Sequence, residues 1–206
     1  MIYFLFFIFL FQGNFEIKEI SFSGSAYDLR TKEYLYTETH RELYENKHLS
    51  SSITYTDEKG KVIAKKEIDY REDSLKPTFQ LEDMRDGYLE GAKVRKDTIT
   101  LISRKNKNSL LKEKTLIIPE PIIIDAGLNA FVRKNWDELE KGKTLKFNLA
   151  VPNELDYFSF RITKSGEKEI EKKKTIILKV EPSNFIIRAL VNPIIIYYEK
   201  IGRAHV

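Results

Sequence analysis

The stretch 34–56, YLYTETHRELYENKHLSSSITYT, decides the architecture. It alternates with period two on both sides of Glu45-Asn46-Lys47, a polar triplet suited to a three-residue hairpin loop. Such a loop puts Tyr44 opposite His48, then Leu43 opposite Leu49, Thr39 opposite Ile53 and Thr37 opposite Tyr55. One face then carries an apolar bias, while Glu38, His40, Glu42, Ser50, Ser52 and Thr54 gather on a polar face. A slip of one residue would mix the two sets, so the pattern predicts this register.

The same rhythm runs outward from the hairpin. Short alternating segments predict strands near 17–29, 33–44, 48–57, 61–70, 78–84, 87–95, 97–105 and 109–118. Asp57-Glu58-Lys59-Gly60, Arg85-Asp86-Gly87 and Asn106-Lys107-Asn108 supply turns between them. Links this short leave no room for the crossover helices that parallel strands need, so the sheet is expected to be antiparallel.

One helix is expected from about Asp125, which can cap it. Leu128, Phe131, Val132, Trp136 and Leu139 form its apolar stripe, and Gly142 stops it. Strands follow at 143–151, 155–164 and 174–181, then a short helix at 184–191 and a last strand from 194 to 198. The expected fold is mainly β (α+β): a curved antiparallel meander or half-open barrel covering one amphipathic helix, in a single domain over 14–200.

Composition narrows the chemistry. The 206 residues include no Cys, which excludes disulfides, thiolate metal sites and thiol nucleophiles. The formal charge of +4 is spread through segments of mixed sign and does not suggest a nucleic-acid partner. The basic run 168–174, KEIEKKK, reads as a solvated edge or hairpin. No phosphate-binding glycine loop and no G-x-S-x-G elbow occurs, and no cofactor is expected.

The ends read differently from the middle. Residues 2–11, IYFLFFIFLF, are apolar and uncharged, too short for a bilayer span of about 20 residues but of signal-peptide length. Residues 1–13 are therefore expected to be a signal peptide, with no transmembrane span and export to the periplasm or cell envelope. The ending 201–206, IGRAHV, is what ATC GGA AGA GCA CAC GTC encodes, which resembles a sequencing-library adapter. The chain is thus expected to be truncated near Lys200, with a non-native tail.

Outside the tail, the two histidines, His40 and His48, fall on the polar hairpin face, where solvated strand residues are expected. Four residues apart along the ladder, roughly 13 Å at ~3.3 Å per residue, they cannot share a metal ion. The lipophilic content that remains suggests an apolar lining between sheet and helix, formed by Phe131, Trp136, Leu139, Tyr157, Phe158 and Phe160.

Phe22-Ser23-Gly24-Ser25-Ala26-Tyr27, the segment Phe79-x-Leu81-Glu82-Asp83-x-Arg85-x-Gly87-Tyr88-x-Glu90-Gly91, and Val151-Pro152 with Leu155-Asp156-Tyr157-Phe158 resemble an exported bacterial family of unknown function. The resemblance implies an envelope protein and brings no catalytic residues. In architecture alone, the expected sheet around a helix is similar to periplasmic lipoprotein carriers of the Lol type. The leading expectation is a non-enzymatic envelope protein binding a lipophilic small molecule or acyl chain. The alternatives are a hydrolase with His40 or His48 as general base, or a structural partner without a ligand.

Overall fold

The computed structural model describes residues 17–28, 30–170 and 172–200, together with the backbone of Ala204 and His205. The expected leader lies outside the described residues, as does the expected tail except for that short backbone piece. The fold is mainly β, as expected, and it is not a closed barrel.

Eight strands make an antiparallel meander in chain order: β1 (Lys18–Tyr27), β2 (Tyr34–Glu45), β3 (Lys47–Thr56), β4 (Val62–Asp69), β5 (Thr78–Asp83), β6 (Tyr88–Arg95), β7 (Thr98–Arg104) and β8 (Lys112–Ile117). Local chemistry closes the hairpins. Asp57, for example, accepts hydrogen bonds from the Lys59 and Lys61 backbone N–H groups, both at 2.9 Å.

A second sheet follows, with β9 (Ile122–Ile124), β10 (Leu145–Val151), β11 (Asp156–Ile170), β12 (Lys173–Pro182), β13 (Ile194–Glu199) and β14 (Ala204–His205) in the order β14-β13-β12-β11-β10-β9. Here one expectation fails. β9 and β10 are parallel, and the helical segment is the crossover between them. The helix was expected to cover the meander; it serves the second sheet instead.

The helix is also broken in two, α1 (Gly127–Lys134) and α2 (Trp136–Glu140). Asn135 interrupts it, its side-chain amide and its backbone N–H both donating to the Phe131 carbonyl, at 2.8 and 3.1 Å. Asp125 does not cap it. Ala126 is the N-cap residue, whose methyl group cannot accept a capping bond, and the Asp125 carboxylate is paired with Lys66 at 2.6 Å.

The described residues form two cores, and β9 belongs to both. Ile123 joins Phe131, Val132, Trp136, Leu139, Phe147, Ile162, Leu178 and Tyr198, sandwiched between the helices and the second sheet. Its neighbours Ile122 and Ile124 face the other way and join Ile53, Ile68, Phe79, Ala92, Ile99 and Leu101 of the meander. Strand alternation makes three consecutive buried isoleucines serve two interiors.

Between β12 and β13 lies α3 (Phe185–Leu190), capped by the Asn184 side chain. The 3-10 turn η1 (Pro152–Glu154) sits between β10 and β11.

Candidate functional site

The β2–β3 hairpin carries the site, through a departure from the expected register. Tyr44 pairs with His48 as expected, and Asn46 holds the left-handed conformation of the loop with φ 58°. A bulge at Leu49 then shifts the ladder by one residue, so that Leu43 faces Ser50, His40 faces Ile53 and Glu38 faces Tyr55. The face assignment is therefore corrected. Glu38, His40 and Glu42 share a side with Ile53 and Tyr55, and this is the side that bears the meander's core.

Neither histidine is a freely solvated strand residue. His40 stacks on Phe22 with ring centroids 4.5 Å apart, its Nε2 3.3 Å from Glu38. His48 lies between Tyr44 and Tyr70, stacked at 4.6 and 4.1 Å. Its Nε2 is 3.1 Å from the Ser50 carbonyl and 2.9 Å from the Ser51 hydroxyl.

Nε2 has two partners and one role at a time. A carbonyl oxygen only accepts, so Nε2 donates to Ser50 in one tautomer, and in the other it accepts from the Ser51 hydroxyl. In the first, the Ser51 hydroxyl is free to donate onward to Tyr70, whose acidity it increases. Ser51 is also only 3% exposed, behind the imidazole from solvent. The pair has the spacing of a hydrolase dyad, with its hydroxyl buried.

Around His48 lies a cleft of about 280 Å³, formed by Glu42, Tyr44, Tyr70 and Ser74 on one side and Ala126, Asn129, Ala130 and Arg133 of the α1 segment on the other. Gly127 lets α1 sit this close: a Cβ there would lie 2.1 Å from the Leu75 carbonyl oxygen. Lys66 and Asp125, paired beside the same approach, tie α1's start to β4.

The electrostatics are distinct for each group. Burial pushes the His48 imidazole below its ordinary range, against the pull of the Glu42 carboxylate and with the help of Arg133, so it is neutral at pH 7. Tyr44 is pushed up to about 12, first by burial and then by donating its hydroxyl to Glu42 at 2.6 Å, with Arg133 acting in the opposite sense. Tyr70 is raised by burial. Arg133 is exposed and makes no ion pair among the described residues.

The apolar lining expected from the sequence lies elsewhere. Phe131, Trp136 and Leu139 are buried in the second core, with Phe160 packed against it. Tyr157 packs on the meander's core, and Phe158 is 44% exposed. These six residues therefore do not meet around one hollow. The cleft was missed because its parts come from 42–48, 70–74 and 126–133, and only the fold brings them together.

No family model, curated protein or solved structure matches this chain. The segment 79–91 nevertheless has a structural account. Asp83 and Arg85 pair at 2.5 Å, Gly87 takes the turn at φ +78°, and the Tyr88 hydroxyl donates to Glu90 at 2.7 Å. Gly91 leaves no room for a side chain, since a Cβ would lie 2.6 Å from the Phe79 carbonyl oxygen. The segment's pattern thus describes the β5–β6 hairpin. Among the described residues no group of three acidic or histidine side chains could hold a metal ion, and no helix is long and apolar enough to cross a membrane.

Proposed function

We propose that this chain is a non-enzymatic binding protein of the cell envelope, taking a small water-soluble anion in the cleft between the β2–β3 hairpin and α1. The observation that carries the reading is Arg133: a guanidinium without an ion pair among the described residues, at the rim of a concave site whose other polar groups are largely bonded among themselves. Arg presents several N–H donors in a plane, which suits a carboxylate or phosphate group. Asn129 adds an amide on the same helix, and Glu42 can accept a hydrogen bond from a donor elsewhere on the ligand.

The ligand is placed here and not in the apolar lining expected from the sequence because Phe131, Trp136 and Leu139 already fill that interior. Export to the envelope rests on the apolar stretch at 2–11 and on the resemblance carried by the segment 79–91.

The test is a titration of the full chain with inorganic phosphate and with acetate, followed through the NMR signals of the His48 and Tyr44 rings. Saturable shifts are expected, weakened roughly tenfold in Arg133→Gln, as loss of a charge-assisted contact implies. Rings that do not respond, or that respond equally in Arg133→Gln, would overturn the reading.

A further inference from the structure

The other unusual surface lies at the far end of the second sheet, where α3 leads into β13. Six large apolar side chains there are exposed: Phe185 at 72%, Ile186 at 57%, Ile187 at 45%, Leu190 at 82%, Val191 at 50% and Ile195 at 43%, while Ile194 points to the other face of the sheet. A soluble chain rarely gathers so many in one place without a use for them.

The orientation of α3 explains the exposure. A surface helix ordinarily turns its apolar side inward. This one does the reverse. Its single cation, Arg188, reaches back to Glu181, with Nε 4.0 Å from the carboxylate, while Ile186 and Leu190 project from the opposite side. None of its residues is buried.

Glu181 is the anchor of this arrangement. It is only 4% exposed and is held by Arg161 at 2.5 Å and Lys179 at 3.2 Å as well as by Arg188. Three cations therefore surround one carboxylate. Lys179 stands directly opposite Ile195 across β12 and β13, so the positive charge borders the apolar patch. Between 182 and 198 the sequence has no Asp or Glu.

We propose that the α3–β13 face docks on an anionic lipid bilayer. Apolar side chains enter the acyl boundary while Lys179, which borders the patch, meets lipid phosphates. A second copy of the chain is a poorer occupant, because two-fold pairing would set each patch's cations against the other's. The apolar stretch at 2–11 could cover the greasy part but brings no negative charge. The proposal rests on neither the cleft nor its ligand.

The experiment uses the full chain carrying Phe185→Trp, which reports from the patch itself while Trp136, buried at 3% exposure, stays constant. Vesicles of phosphatidylcholine containing about a third phosphatidylglycerol should shift the new indole's emission to the blue and shield it from iodide, with binding weakened by salt. Adding Ile186→Ser and Leu190→Ser should reduce vesicle binding roughly tenfold or more while leaving the fold intact, since both sites are exposed. Four results would overturn the proposal: no shift with vesicles, an equal response to phosphatidylcholine alone, a blue emission already present in dilute protein, or a shift that follows protein concentration without lipid. The last two would mean that the chain itself, or a second copy, covers the patch.

Discussion

The meander and the second sheet treat their core-bearing faces in opposite ways. On the second sheet Phe147, Ile162, Ile176, Leu178, Ile196 and Tyr198 lie under α1 and α2, and the cover extends across four strands. The meander's corresponding side is roofed by β9, β10 and the η1 turn, and its apolar cluster is concentrated in β3–β7. Beyond that roof the same side carries Glu38, His40, Glu42 and Tyr44. Where a sheet face is covered, it becomes core; where the cover ends, polar groups on the same side can build a site.

The comparison breaks most visibly at Trp136. Trp136→Ala should cost about 3–5 kcal/mol in chemical denaturation, the usual penalty for emptying an aromatic site in a rigid interior. A loss below about 1 kcal/mol would mean that the second core is loosely filled and that the contrast is false. Next in size is the joint between the two regions. Gly127→Ala should destabilise by about 1–3 kcal/mol, because the new methyl meets the Leu75 carbonyl oxygen and α1 must move away from the link between β4 and β5. The same variant should also perturb the NMR signals of His48.

Acid should act on the meander's open side first. Folded His48 titrates below its ordinary 6.5, so the unfolded chain binds its proton more readily. His48's contribution is therefore fully present above pH 6.5. It falls as pH drops through that value and levels off below the folded pKa. Denaturation midpoints measured from pH 7.5 to 5 should fall more steeply in the wild type than in His48→Gln; parallel profiles would remove the claim. The smallest effect is expected at the second sheet's rim. Phe158→Ser, at a 44% exposed position, should change stability by less than about 0.5 kcal/mol. A larger loss would show that the rim is part of the core.

Much of the meander was legible in the sequence. Turn residues and alternation placed each of its eight strands within a few residues, and the stripe at Leu128, Phe131, Val132, Trp136 and Leu139 does pack inward. The errors are specific. A bulge at Leu49 preserves alternation on each side while changing its phase, so the hairpin's faces were assigned wrongly beyond the loop. β9 is only three residues long and buried on both sides, and so shows no period to read. Asp125 looked like a cap because its competitor, Lys66, is 59 residues away in the chain.

Local chemistry, then, was set by the sequence alone: where the chain turns, which segments are strands, that the Trp136 stripe must be buried and that thiol chemistry is absent. These follow from neighbours a few residues apart. Which surface covers which was settled only in three dimensions. The parallel pairing of β9 with β10, the seat of α1 beside His48 and the outward-facing apolar side of α3 each depend on contacts between distant segments. Burial energy depends on those contacts, and no short window of sequence contains both partners.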